Sequence, residues 1–470
     1  MEEAEIMELY ELSYSDLILL SSSSSSSLSC SPDEGERLEM MTRSIMETLC
    51  PTGPGLLSIT GVPDASVLRR KLLPLARKLA LLDPEARKRV LKEHSLGSDV
   101  PLKNPDRSVS SFAMQLKYAD SHEFPNGKSA RRLDGFFNTD QGCLRVDGVR
   151  DTLEDEFKDL GTVFKELGFY MMDLGLFIAR ICDKAIGGHE LEQSLLESCA
   201  AKGRLIHYHL AQDTLILKEA GEKKGSAKRT TTKRGHQEYL VRNDQTPSEG
   251  YNLDLDSNKV GTHGIYSDLW QQWHYDYGIF TVLTDPMFLA QSSCLSSTMS
   301  DDELLITSST ECDWPRDHSY LQIYHASKNK LLMVKSSPGS FIIQVGESAD
   351  ILSKGKLFST LHCVRRPTKM ENISRETFVV FLQPAWSKTF SISDYPMEHC
   401  NLGTQYSGVS CEGNHLEELE LNELAQEIKK IVPPLLSRLK DGMTFAEFSR
   451  ETTKKYYGSS GLQSNNKSVL

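Results

Sequence analysis

Between residues 204 and 384 the chain runs through a series of short apolar segments: RLIHYHL, YGIFTVL, YLQIY, LLMV, SFIIQV and ETFVVFL. Each is rich in β-branched or aromatic residues and is bounded by turn formers, the pattern of short strands. No helical period comes between them. Parallel strands need long crossovers, usually helical, so strands joined this way must pair antiparallel. The series predicts a β-sandwich or barrel. Two polar insertions interrupt it, at about 219–262 and 289–317.

The flanks read differently. IMELYELSYSDLILL, near the N-terminus, has enough apolar residues to add a strand to a sheet, and a Ser-rich, then acidic linker follows over 21–37. LLSITGV (56–62) predicts a buried strand. The next helix is expected to be capped near Asp64 or Ser66, with Val67, Leu68, Leu72 and Leu75 on one face. Asp83 followed by Pro84 marks another helix start. From 151 to 186, apolar residues fall at 153, 157, 160, 164, 167, 171, 174, 178, 181 and 185, in alternating steps of four and three, and Gly187–Gly188 ends the run. Phe169, Met172 and Phe177 widen that stripe beyond a coiled-coil seam, so it predicts one long helix supporting a globular core. In the tail, LEELELNELAQEIKKIVPPLLSRL is a helical run broken at Pro433 and Pro434, and TFAE (444–447) is a capping box for a further helix.

Composition narrows the function classes. The 470 residues carry a net charge of −12, which argues against a nucleic-acid-coating role. The first insertion holds Lys223, Lys224, Lys228, Arg229, Lys233 and Arg234 against Glu222, but no aromatics interleave them, so it reads as a solvated loop. No nucleic-acid partner is expected. No stretch approaches the roughly 18–20 apolar residues of a membrane span, and the acidic N-terminus does not resemble a signal peptide, so a cytoplasmic protein away from membranes is expected. The ten cysteines include no CxxC pair and read as reduced thiols.

The chemistry concentrates in WHYDYGIFTVL (273–283). Along a strand, residues i and i+2 share a face, which aims His274 and Asp276 one way and Trp273, Tyr275 and Tyr277 the other. One imidazole and one carboxylate make two-thirds of a facial triad that suits Fe(II) and leaves positions open. Alone, such a pair is commonly structural. A second histidine, His362, lies in the later segment KLFSTLHCV, and Arg375 and Thr377 follow it on one strand face. A guanidinium beside a hydroxyl suits a carboxylate. His207 and His209 form another pair on one strand face, with no third ligand evident nearby. His318 and His325 read as loop or barrel residues.

In this order the residues resemble the Fe(II)- and 2-oxoglutarate-dependent dioxygenases of the isopenicillin N synthase-like superfamily, widespread in plants. HYDYGIFTVL is similar to that family's H-x-D strand with its following glycine. MVKSSPGSFIIQVGESADILSKGKLFSTLH is similar to the stretch leading through Pro-Gly to the distal histidine, and SRETFVVFLQP to the R-x-S strand. The resemblance spans roughly residues 40–390; no family motif matches beyond 390.

It implies an α+β fold: a double-stranded β-helix (jelly roll) with N-terminal helices packed against it and a helical C-terminal extension. The parts would be an N-terminal segment with the Ser-rich linker (1–40), a mainly helical region (41–200), the jelly-roll oxygenase domain with its two insertions (201–390) and the C-terminal extension (391–470). It implies His274, Asp276 and His362 as iron ligands and catalytic residues. It implies Arg375, Thr377 and Tyr208 as holders of 2-oxoglutarate, with O2 as the other co-substrate. Phe280 is expected to line the pocket on the face of His274 and Asp276. Departures are Ile206 and His209 in place of the Asn and Pro of the R-x-N-x-Y-P motif, Thr377 for serine, Cys363 after the distal histidine, and Lys354 within S-N-G. The expected activity is oxidation, by hydroxylation or desaturation, of a small-molecule substrate coupled to decarboxylation of 2-oxoglutarate. The competing readings are the same triad used without 2-oxoglutarate, and a silent jelly roll serving as a scaffold. A protein partner would bind through the insertions or tail.

Overall fold

A computed structural model of the chain describes residues 5–22, 32–98, 100, 102, 107–118, 152–210, 212–218, 269–291, 309–367, 372–393, 395–396, 426, 428 and 430–457. The first insertion, the centre of the second and the last thirteen residues lie outside them. The fold is α+β, and its centre is a jelly roll of eight strands in two four-stranded sheets. The major sheet has the order β6 (Ala200–Tyr208), β15 (Ile373–Leu382), β8 (Phe280–Thr284), β13 (Phe341–Val345). The minor sheet has the order β7 (Leu269–His274), β14 (His362–Arg365), β11 (Leu321–His325), β12 (Lys330–Lys335). Every pairing within these two sets is antiparallel, as expected, although short helices do come between the strands, at 212–218 and at Glu347–Leu352.

The flanking segments extend both sheets. β1 (Glu5–Glu8) pairs in parallel with β12, and β2 (Glu11–Ser13) with β3 (Leu56–Thr60), so the N-terminal apolar stretch adds one strand to each sheet. β3 in turn pairs with β13. On the far edge β5 (Val109–Lys117) pairs with β6, and the two-residue β4 (Gly97–Ser98) with β5. The second insertion opens with a strand pair, β9 (Met287–Gln291) and β10 (Ser309–Cys312), and β9 also lies against β15.

The N-terminal helices cover the outer face of the major sheet. α1 (Tyr14–Ser22) and α2 (Pro32–Leu49) bury Leu17, Leu20, Ile45 and Leu49 in the core there. The long helical stripe forms α7 (Leu160–Ile186), but the predicted single helix from 151 is broken. A short helix, α6 (Thr152–Phe157), precedes it, and Asp159 takes the N-cap position. The apolar pattern runs through the break because both helices bury their apolar residues in one core, Phe157 included. Ala185, last in the stripe, is exposed. Gly187, at φ 80°, closes α7 as expected. Phe164 stacks edge-on against Phe378 of β15 at 4.6 Å. The slot for its ring exists because β6 carries glycine at 203, where a Cβ would stand 2.7 Å from the Phe164 ring.

The helix after β3 also departs from expectation. Pro74 starts a new helix, α4 (Pro74–Leu81), so Leu75 lies outside α3 (Ala65–Leu72), and Val67 is exposed. Asp64 holds the N-cap position of α3 without a side-chain cap, whereas Asp83 caps α5 (Pro84–Glu93) by accepting from Glu85 N and Ala86 N. The predicted capping box is present: Glu447 N donates to Thr444 Oγ1, and Thr444 N to Glu447 Oε2. The described cysteines, Cys50, Cys182, Cys199, Cys312 and Cys363, carry free thiols. No helix among the described residues is long and apolar enough to cross a membrane.

Phe164 is fully buried at the joint between helix and sheet. Phe164→Ala should therefore cost about 3–5 kcal/mol of stability. Denaturant unfolding checks this; a loss under about 1 kcal/mol would mean the joint collapses without cost.

Candidate metal centre

β7 ends on His274, and the chain then crosses from the minor to the major sheet through 275–279. The crossing is held by backbone bonds: Glu347 N donates to Asp276 O (2.8 Å), Ser348 N to Gly278 O (2.9 Å), and Ile279 N to Leu382 O (2.8 Å). Two glycines permit this approach, since a Cβ on Gly346 would stand 2.3 Å from Gly278 O. The bend at 275–279 also breaks strand parity, which corrects the expectation for Phe280. Its side chain is fully buried in the core beneath α7, and Thr281 faces the cavity instead.

Across the minor sheet, His362 pairs one-to-one with His274. The two rings lie 4.2 Å apart. Asp276 Oδ1 is 3.8 Å from His274 Nε2, and Asp276 Oδ2 is 3.8 Å from His362 Nε2. Donors sharing one ion through bonds of about 2.1 Å stand between about 3 Å and 4.2 Å apart, so these separations fit a shared cation. The Nδ1 atoms lie against backbone carbonyls, Gln272 O at 2.7 Å from His274 and Thr360 O at 3.0 Å from His362, the latter nitrogen also 2.9 Å from Gln344 Nε2. With the proton on Nδ1, each ring turns its Nε2 lone pair inward. Burial, then the neighbouring His362, pushes the His274 pKa down to about 4, which keeps that ring in the neutral, ligating form. The three side chains remain 6–11 % exposed, sheltered yet reachable.

Three supporting residues were not singled out in the sequence. Thr281 Oγ1 donates to Asp276 Oδ2 at 2.6 Å. The Gln344 amide lies between Asp276 Oδ2 (3.4 Å) and His362 Nδ1 (2.9 Å). Gln271 Oε1 accepts from Tyr208 Oη, which turns its Nε2 to donate to the inward Nε2 lone pair of His274 at 3.0 Å. Gln344 carried a readable signal, an amide inside the apolar strand SFIIQV. Gln271 and Thr281 carried none, because polar residues near strand ends are ordinary.

The other predicted residues stand on the inner face of the major sheet. Arg375 is opposite Tyr208 in register, its guanidinium carbon 5.1 Å from the Tyr208 ring centre, and its Nε donates to Ser319 O at 3.0 Å. Thr377 lies one step along the same face, its hydroxyl 3.5 Å from that of Thr284. A cavity of about 210 Å³ brings together His274, Asp276, His362, Arg375, Thr377 and Tyr208. Trp270, Leu283, Val379 and Phe381 line its apolar side. Cys363, a departure from the family pattern, faces away from the cavity into a buried apolar cluster with Trp273 and Leu361.

Several solved structures are similar to this chain. One is a full-length Neurospora crassa protein in complex with alpha-KG and 5-formyluracil, at 13% identity, covering 84% of this chain and 92% of that one, with a TM-score of 0.42. A second is JOX2 in complex with 2OG, Fe and JA, at 13% identity, 96% and 86% coverage and a TM-score of 0.44. A third is the dioxygenase for auxin oxidation in rice, at 14% identity, 84% and 88% coverage and a TM-score of 0.42. No family model and no curated protein matches the sequence. Identities this low leave the chemistry to the residues themselves.

The second histidine pair acquires the third group that the sequence did not suggest. Asp213 folds back so that it, His207 and His209 converge, all buried. His207 and Asp213 already satisfy one another, whereas His209 pairs its Nε2 with Ser110 Oγ and leaves a buried Nδ1 without a hydrogen-bond partner among the described residues. His207 places Nδ1 2.9 Å from Glu376 Oε1 and Nε2 3.0 Å from Asp213 Oδ2, while Arg77 holds Asp213 Oδ1 at 2.9 Å. An imidazole bonded to a carboxylate at each nitrogen is an imidazolium. Burial works against that charge, but Glu376 and Asp213 outweigh it and raise the His207 pKa to about 9. A divalent ion would have to displace that proton beside Arg77, so the cluster is a structural charge network.

The sign of its pH dependence follows. A raised imidazole pKa contributes stability that is complete below about pH 6.5 and is lost as pH rises through about 9. The contribution is on the order of 3 kcal/mol. His207→Gln should be less stable than the parent at pH 7 and lose less on going to pH 10. Parallel pH profiles for parent and variant would refute a charged His207.

Proposed function

We propose that the chain is an Fe(II)- and 2-oxoglutarate-dependent oxygenase acting on a small-molecule substrate. One observation carries this reading: two inward-facing imidazole lone pairs and a carboxylate converge in the same cavity as a buried arginine, a hydroxyl and a tyrosine. His274, Asp276 and His362 would hold iron on one face. Arg375 and Thr377 would clasp the far carboxylate of 2-oxoglutarate, with Tyr208 flanking the arginine. Iron with this co-substrate supplies oxidation of a second molecule coupled to decarboxylation of 2-oxoglutarate.

The chain's own residues set the conditions for that chemistry. Thr281 and Gln344 fix the rotamer of Asp276, and the backbone carbonyls of Gln272 and Thr360 fix the tautomers of the two histidines. Arg375, buried and with Nε spent on Ser319 O, is restricted in orientation and presents its charge to the cavity. Trp270, Leu283, Val379 and Phe381 add apolar lining that excludes water beside the polar groups.

The test is anaerobic. Fe(II) and then 2-oxoglutarate are added to the metal-free protein, and the weak visible charge-transfer band of chelated 2-oxoglutarate is followed. His274→Ala and Asp276→Ala should lose iron; stoichiometric iron in either would sink the ligand assignment. Arg375→Ala should keep iron and weaken 2-oxoglutarate by about 2–5 kcal/mol, thirtyfold or more. Iron binding without the band would instead indicate the same triad working without 2-oxoglutarate.

A further inference from the structure

The C-terminal segment matches no motif of the resemblance, yet it reaches the metal centre. Its last described helix, Phe445–Tyr457, is anchored at its start. Phe445 N donates to Lys388 O (2.7 Å), Ala446 N to Trp386 O (3.0 Å), and the capping box closes the first turn. From that anchor, eleven residues of helix carry the chain about 16 Å to Tyr456. Tyr456 packs with Trp273, Tyr275 and Leu361 on the outer face of the minor sheet, and it also lines the cavity, as does Ile431.

Two ties run from this segment to the H-x-D turn. Tyr275 N, the amide between His274 and Asp276, donates to Tyr456 Oη at 3.2 Å. Arg438 forms a fully buried bidentate pair with Glu347, through Nη1 to Oε2 at 2.8 Å and Nη2 to Oε1 at 2.5 Å. Glu347 is the residue whose N–H donates to Asp276 O. The ties are joined: the Arg438 guanidinium lies 5.5 Å from the Tyr456 ring centre and 5.7 Å from that of Phe448, and it donates to Thr452 Oγ1. Burying an arginine this deeply is tolerable because it meets a carboxylate, a hydroxyl, the Pro433 carbonyl and two aromatic faces. One guanidinium therefore locks the helix to the turn.

We propose that Tyr456 and the Arg438–Glu347 pair are positioning residues for the metal centre, holding the backbone on both sides of Asp276 from a segment some 180 residues downstream. This rests on the reading of His274, Asp276 and His362 as metal ligands. Outer partners of a metal site commonly cost ten- to a hundredfold in affinity when removed, because the ligands lose their preset geometry.

The experiment is a titration of the full-length, metal-free protein with Mn(II), followed by electron paramagnetic resonance, beside a thermal melt without metal. Tyr456→Phe keeps the ring and its packing and removes the acceptor of Tyr275 N–H. It should raise the Mn(II) dissociation constant roughly tenfold, while the metal-free melting midpoint moves by about a degree or two. Glu347→Gln, of the same shape, should shift affinity in the same direction. His274→Ala is the reference. If it abolishes Mn(II) binding while both Tyr456→Phe and Glu347→Gln bind as tightly as the parent, the positioning role is wrong and the metal centre stands. If His274→Ala binds Mn(II) like the parent, the metal centre itself is wrong and the positioning role falls with it.

Discussion

The register of one strand pair governs the site. His362 of β14 sits directly across from His274 of β7, and this pairing brings two rings within 4.2 Å. A slip of one residue would turn Cys363 into the cavity and His362 into the apolar cluster outside. What prevents the slip is the opposite face of the same strands. Trp273, Leu361 and Cys363 pack there with Ile428 and Val432 of the C-terminal segment, and each is nearly or fully buried. The polar inner face thus owes its alignment to apolar burial on the outer face. The same division holds in the major sheet, where Phe280, Val282, Phe378 and Val380 face α7 while Thr281, Leu283, Thr377 and Val379 face the cavity.

Strand alternation explains why so much was readable from the chain. The apolar segments between 204 and 384 became strands, and the residues singled out for chemistry, His274, Asp276, His362, Arg375, Thr377 and Tyr208, line one cavity. Parity failed where the chain left a strand. Between Asp276 and Phe280 it bends from one sheet to the other, so counting by twos put Phe280 on the wrong side. Helix periodicity failed in the same manner: it recorded which residues are buried along 157–181 and missed the break before α7. Pro74 was a visible sign of the new helix start, because proline suits a first turn and not an interior.

The missed residues share another character. Asp213, Gln344, Glu347 and Arg438 matter through partners outside their own strand or helix, and no local period reports such pairs. Glu347 and Arg438 are separated by 91 residues, and the value of each depends on the other. A buried Arg or Glu is costly alone, so its burial signals a partner only once the fold is known. Gln344 was the exception, since an amide within an apolar strand cannot be solvated and must have a task.

The two histidine clusters show what separates a candidate ligand set from a salt bridge. Both contain two histidines and an aspartate, sheltered within a few ångströms of one another, and both use β-strand geometry. In one, each imidazole has only neutral hydrogen-bond partners, backbone carbonyls and the amides of Gln271 and Gln344, so with the proton on Nδ1 it turns a lone pair toward the cluster. In the other, His207 meets a carboxylate at each nitrogen and an arginine beyond, so the proton stays and the charge is already matched. Residue types and proximity are the same in both. The deciding quantity is the charge of the second partner, because it determines whether the imidazole is a base with a free lone pair or a cation that repels a metal.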